Sequence, residues 1–199
     1  MPARTDEQLL QDYQDGDAAA FRALIERHQE DLLRFLARLT GDRQAAEDVF
    51  QETFLQVHIS ADTFDATRKF KPWLFTIAAN KARDMLRKRV RRQEVDLSAP
   101  LSRDPEGGQT FIDLMEVSVP LPDEAMQGQE RDQLVQKAVD RMPQSLKEIL
   151  LLAYFQRLSY AQIAEELDIP LGTVKSRLHA AVAAFAKHWQ NVSSGMNTR

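Results

Sequence analysis

The sequence predicts an all-α protein of two small helical domains joined by an acidic linker containing Pro and Gly, the second domain a helix-turn-helix. Three observations carry this. Apolar residues recur at three- and four-residue spacing in several stretches of residues 5–94 and again of 129–190. Between them the composition shifts: Pro100, Pro105, Gly107, Gly108, Pro120 and Pro122 punctuate residues 95–128, with Asp96, Asp104, Glu106, Asp113, Glu116, Asp123 and Glu124 against Arg103. That segment is too long and too interrupted for a loop inside one compact domain. Finally, residues 159–189 hold two apolar-striped helices separated by Asp168-Ile169-Pro170.

In chain order, Thr5 and Gln8 have capping-box spacing and open a short helix that Gly16 can end. Asp17 caps a long amphipathic helix with Phe21, Leu24, Ile25, His28, Leu32, Phe35, Leu36 and Leu39 on its apolar side, up to Gly41. His28 falls on that stripe as a core histidine. Asp42 caps a third helix whose inner stripe is Ala46, Val49, Phe50, Thr53, Phe54 and Val57. Its other face carries Glu47, Asp48, Gln51 and Glu52, and spacing alone leaves this face as simple solvation. Like charges one turn apart, as at Asp48 and Glu52, oppose helix stability by a few tenths of a kcal/mol.

Residues 58–70 show no clear period and read as a loop around Phe64. Pro72 then begins a fourth helix at a position where proline is tolerated. Between Lys81 and Arg92 it places Lys81, Arg83, Arg87, Lys88, Arg89, Arg91 and Arg92 against one acid, Asp84. The net charge of -4 conceals this basic run. Trp73, Phe75, Asn80 and these cations suit single-stranded DNA, where rings stack on unpaired bases and cations follow the backbone. Core rings and a solvated helix end are the plainer reading, and one or both rings serve the core.

After the linker, a helix starting at Asp123 or Glu124 carries Leu134, Val135, Ala138 and Val139 to Arg141. Pro143 breaks it, and Leu146, Ile149, Leu150, Leu152, Ala153 and Phe155 build a support. Ser159, with Gln162 three residues on, opens a helix with Ile163, Ala164 and Leu167 inward. Past the Pro170 turn, Val174, Leu178, Ala181, Val182, Phe185 and Trp189 face the core. Thr173, Lys175, Ser176, Arg177 and His179 are thereby presented outward near the start of this helix. Arg can take the acceptor pair on guanine, and Lys, Ser and Thr suit phosphates. Together with the proline turn, this predicts a helix-turn-helix whose second helix enters the DNA major groove. Residues 191–199 read as a polar, frayed tail.

Composition sets outer limits. The 199 residues exceed one typical domain and fit two small ones. Hydrophobic residues at 43% and charged ones at 28% describe an ordinary soluble chain. No apolar run approaches a membrane span, and the first residues lack a signal-peptide core, so the expectation is a cytoplasmic protein without membrane insertion. Cysteine is absent, which removes disulfides and zinc-thiolate sites. The four histidines lack a Glu three residues before them, and no phosphate-binding Gly loop, nucleophile elbow or His-Glu-x-x-His occurs. No enzyme, cofactor, metal or catalytic residue is therefore expected.

Residues 160–167 and 169–179 resemble the carboxy-terminal domain of the extracytoplasmic-function sigma factors, the compact branch of the sigma-70 family. Asp48-Val49-Phe50-Gln51-Glu52-Thr53-Phe54 is similar to the family's Asp-x-x-Gln-Glu segment, and residues 70–80 to its most recognisable amino-terminal segment. The resemblance implies a sigma factor that binds core RNA polymerase, through its clamp helices and flap, and directs promoter-specific initiation. It implies that Asp48, Gln51 and Glu52 dock on the clamp helices. It implies that Phe64, Trp73, Asn80, Lys81, Arg83, Arg87 and Lys88 hold the melted minus-ten element. Thr173, Lys175, Ser176, Arg177 and His179 would then contact the minus-thirty-five element. The domains so implied are a region 2-like part at 1–94, a linker at 95–128, a region 4-like part at 129–190 and a tail at 191–199. An anti-sigma factor that covers both DNA-binding parts is implied as a partner, and a linker threading the polymerase channel as one role for residues 95–128. The sequence departs from the pattern at Ala180, Val182, Ala183 and Ala184, where the family usually carries Arg or Lys. A stand-alone helix-turn-helix repressor or activator is the rival reading, though it leaves the aromatic and Arg-rich helix unexplained.

Overall fold

A computed structural model describes residues 4–65, 67–93, 128–156 and 158–194. Every regular element among them is helical. All of the linker expected at 95–128 except Gly128, the expected helix start at Asp123 or Glu124, and the side chains of Arg91 and Arg92 lie outside the described residues. The backbone divides into two compact units, Met1–Leu97 and Ser98–Arg199. No helix among the described residues is long and apolar enough to cross a membrane.

The first unit holds α1 (Asp6–Gln14), α2 (Ala18–Thr40), α3 (Arg43–Ser60) and α4 (Phe70–Gln93), with a 3-10 turn at Ala61–Thr63. Local chemistry sets most of the boundaries. Thr5 and Gln8 form the reciprocal capping box, and Asp17 and Asp42 accept from the amides of Ala19 and Ala45. Gly41 ends α2 with φ at 70°, a left-handed conformation that favours glycine. Two boundaries differ from expectation. α3 runs on through His58 to Ser60, because helix propagation continues where nothing breaks it, whether or not the outer residues show a period. α4 begins at Phe70, so Pro72 sits inside its first turn, where its missing N–H is no loss.

α2 packs on α1, α3 and α4, and α3 packs on α4. Leu24, Leu32, Phe35, Leu36, Leu39, Ala46, Val49, Val57, Leu74, Phe75, Ala78 and Ala82 are buried between them. Phe75 is a core ring and Trp73 is only half buried.

His28 is a satisfied core histidine at 4% exposure. Its Nε2 lies 2.9 Å from Asp6 Oδ2, and Arg27 donates to Asp6 Oδ1 at 2.6 Å. Burial raises the Asp6 carboxyl, but hydrogen bonds from His28 and Arg27 outweigh it and hold its pKa below the ordinary 3.8. A depressed carboxyl stabilises the fold above its unfolded value and stops doing so as the pH falls through its folded value. Asp6→Ala strands a buried imidazole nitrogen. It is expected to cost the first unit about 1–3 kcal/mol at neutral pH, and the difference from wild type should shrink as the pH falls below 3.8 through the lower folded value of Asp6. Denaturant melts of both proteins across that pH range measure this.

The second unit holds α5 (Gly128–Asp140), α6 (Gln144–Gln156), α7 (Tyr160–Leu167) and α8 (Leu171–Ser194). α8 packs on the other three. Its stripe of Val174, Leu178, Ala181, Val182, Phe185 and Trp189 is buried, as the spacing predicts. Ser159 and Gln162 form the reciprocal capping box that starts α7. Asp168 ends it at φ 50° and ψ 50°, a left-handed conformation that Asp tolerates better than most side chains. Pro170 then feeds α8, accepting from the amides of Thr173 and Val174 at 2.9 and 3.1 Å. α8 continues to Ser194, four residues into the expected tail.

Candidate functional site

The expected residues fall on three surfaces, two on the first unit and one on the second. On α3, Asp48, Gln51 and Glu52 are exposed while Ala46, Val49, Thr53, Phe54 and Val57 are buried. Gln44 donates to Asp48 Oδ1 at 3.3 Å. The stripe goes further than the acids. Leu55 and Ile59, one and two turns on, are exposed at 58% and 65%. With four- and three-residue steps from Asp48 to Glu52, Leu55 and Ile59, all four lie along one side of the helix. The face is thus acidic at one end and apolar at the other. Sequence reasoning missed Leu55 and Ile59; the signal was two apolar residues out of phase with the inner stripe.

The second surface is built where α4 begins. Phe64 follows the 3-10 turn and is half buried, its ring centroid 4.7 Å from that of Trp73 and 6.3 Å from that of Phe70. Phe70 lies 5.9 Å from Trp73 and 5.6 Å from His28. Asp65 accepts from both the amide and the hydroxyl of Thr67, at 2.9 and 2.7 Å, which shapes the loop that follows. Those two hydrogen bonds hold the Asp65 carboxyl below its usual range.

Along α4, the buried Leu74, Phe75, Ala78, Ala79 and Ala82 turn inward. Trp73, Asn80, Asp84 and Arg87 therefore fall on the outer side, with Lys88 exposed beside them. Several of these groups have partners within the chain. Asn80 Oδ1 accepts from Arg83 at 3.0 Å, and Arg87 lies 3.9 Å from Asp84. Arg89 lies 3.7 Å from Asp42, the cap of α3. Lys81 is drawn against α3, where it donates to Gln56 Oε1 at 3.1 Å. The outer side accordingly brings Phe64, Trp73, Asn80, Arg83, Arg87 and Lys88 together, with Lys81 at its edge.

The third surface is the start of α8. Thr173, Lys175, Ser176 and Arg177 are half buried and His179 is exposed. At about 100° per residue, Lys175 and His179 lie on one side of Ser176, and Thr173 and Arg177 on the other. Ser176 turns back to the Thr173 carbonyl at 3.2 Å. Ala180 and Ala183 are exposed in line with Ser176, and Lys187 follows them. This face offers cations and hydroxyls at its start and methyl groups along its middle. Free amides at the same end add positive character. No group of acids or histidines that could hold a metal ion occurs among the described residues.

Residues 24–92 match Sigma-70 region 2, and residues 132–185 match Sigma-70, region 4. The chain is 30% identical over 177 residues to the ECF RNA polymerase sigma factor SigW of Bacillus subtilis (strain 168), covering 89% of this chain and 92% of that protein. It is 33% identical over 186 residues to the RNA polymerase sigma-H factor of Pseudomonas aeruginosa, covering 93% and 94%. Among solved structures, the sigma factor RpoE in complex with the anti-sigma factor NepR from Bartonella quintana shares the fold. Its TM-score is 0.58 at 24% identity, over 87% of this chain and 98% of that one.

Proposed function

The chain belongs to the extracytoplasmic-function RNA polymerase sigma factors of the sigma-70 family, and from that premise we propose how its surfaces divide the work of starting transcription. It binds core RNA polymerase and directs promoter-specific initiation, acting in the cytoplasm with no catalytic activity of its own. Residues 1–94 dock on polymerase and hold the melted minus-ten element. Residues 129–190 find the minus-thirty-five element, residues 95–128 tether the two, and residues 191–199 form the tail.

The observation that carries this is the α3 stripe of Asp48, Glu52, Leu55 and Ile59. Carboxylates running into exposed aliphatic side chains fit a basic, amphipathic partner helix, such as the polymerase clamp helices. The acids steer the encounter and set its register, and the aliphatics supply burial. A free-standing DNA-binding regulator could use such a face to dimerise, but that would leave the aromatic and Arg-rich side of α4 unexplained. The outer side of α4 takes the opposite role. Trp73 and Phe64 offer ring faces to unpaired bases, and Arg83, Arg87 and Lys88 offer charge to the backbone, with Asn80 beside them for a base edge. On α8, Arg177 reads a base edge, and Thr173, Lys175, Ser176 and His179 fix its register on phosphates. An anti-sigma factor that covers these surfaces is the fitting negative regulator.

The test is a footprint on a promoter fragment with purified components. Protection spanning both promoter elements should need the chain and core polymerase together; a palindromic footprint by the chain alone would replace this reading with a self-contained repressor.

The methyl-lined middle of α8 makes a separate prediction. With Ala180 and Ala183 where phosphates would be met, the upstream contact should be weaker and less salt-sensitive than one with cations at those positions. Ala180→Arg with Ala183→Arg is expected to steepen the slope of log affinity against log salt by about 1 per new phosphate contact. Titrations of a minus-thirty-five duplex at several salt concentrations measure it.

A further inference from the structure

At the start of α4 an amide of the first turn is held from outside the helix. The residue before it, Lys69, carries only donors, so it cannot accept from the free amides of the first turn. The acceptor arrives from 63 positions away: Glu7 on α1 takes the Phe70 amide on Oε1 at 3.2 Å, with Lys69 Nζ 3.9 Å from the same oxygen. The Glu7 side chain is largely buried there, at 25% exposure. A second tie is made one residue on, where Lys71 Nζ donates to Asp31 on α2 at 3.1 Å. α1 is itself anchored independently, through Asp6 on Arg27 and His28 and through Gln14 on the Ala61 carbonyl at 2.7 Å.

Phe70, whose amide Glu7 holds, is the ring on which Phe64 and Trp73 pack. Losing the cap leaves the first turn of α4 held only by the buried Phe70 ring and the Lys71–Asp31 pair, which loosens the spacing of those two rings while the buried middle of the helix keeps its place. We infer that Glu7 is a positioning residue for promoter opening: its carboxylate caps α4 and thereby fixes the Phe64–Trp73 pair against the unpaired minus-ten bases. Glu7 lies outside residues 24–92, the part that matches Sigma-70 region 2. The inference rests on the proposed minus-ten role of Trp73.

The test uses the full chain with core polymerase and a promoter carrying a fluorescent adenine analogue in the minus-ten element. Wild type, Glu7→Ala, Glu7→Gln and Trp73→Ala are compared for opening rate and for core affinity. Glu7→Ala should open about tenfold more slowly, with core affinity within about twofold of wild type because Asp6 and Gln14 still hold α1. Glu7→Gln, which keeps an oxygen for the Phe70 amide, should recover most of the rate. Three results overturn the inference: wild-type opening by Glu7→Ala when Trp73→Ala is slow, equal losses of core affinity and opening in Glu7→Ala, or a Gln variant as slow as the Ala one. Wild-type opening by Trp73→Ala removes the reading beneath it, and the inference goes with that reading.

Discussion

Asp48→Lys combined with Glu52→Lys is expected to weaken binding to core RNA polymerase by about 100-fold or more, since like charges set against each other across an interface cost several kcal/mol. The fold should survive. Both side chains are exposed, and a Lys–Lys pair one turn apart repels about as much as the carboxylate pair it replaces. Because the lost attraction is electrostatic, the defect should shrink as salt rises toward 1 M, where screening acts over a few ångström. Leu55→Ala, further along the same stripe, should weaken binding by less and without that salt dependence, because what it removes is apolar burial. Fluorescence titrations of labelled chain with core polymerase at two salt concentrations separate the effects. Wild-type affinity in the double variant would remove α3 from the docking surface.

Trp73→Ala is expected to bind core polymerase normally and to open promoters about 10- to 100-fold more slowly. Stacking on one unpaired base is worth about 1–3 kcal/mol by alanine substitution. The substitution leaves Phe75 and the rest of the core in place, because Trp73 lies at the half-buried edge of the first unit. Phe64→Ala should act similarly. The two rings touch, at 4.7 Å between centroids, so the double variant should fall short of the product of the single effects. Permanganate reactivity of minus-ten thymines, followed over time, reports the opening. Equal opening rates in wild type and Trp73→Ala would return that ring to a purely structural role.

What could be foreseen from the sequence was whatever local chemistry decides. Thr5 with Gln8 and Ser159 with Gln162 act within one turn, so their capping boxes were readable, as were the caps at Asp17 and Asp42. The buried stripe of α8 and the core position of His28 follow from periodicity. Pro72 marked the beginning of α4 but not its first residue, since proline is tolerated anywhere in a first turn. Trp73 and Phe75 are two residues apart on opposite sides of a helix, and only the packing of α2 against α4 decides which ring is buried.

Long-range pairings left no trace. Lys81 belongs to the basic run by position, yet Gln56 on the neighbouring helix holds it. Asp6 with His28 and Glu7 with Phe70 join residues 22 and 63 positions apart, beyond the reach of any local pattern. Leu55 and Ile59 were hidden for another reason. A helix whose apolar residues spread beyond one stripe looks like a wider core until the structure leaves two of them uncovered.

Whether this chain tells RNA polymerase where to begin can be read directly from transcripts. Purified core polymerase should be given genomic fragments with and without the full chain, and the start sites of the transcripts mapped. A sigma factor should give a discrete set of starts that appears only with the chain, preceded by shared minus-thirty-five and minus-ten sequences, and absent with Asp48→Lys plus Glu52→Lys. The same start sites with and without the chain would contradict that role.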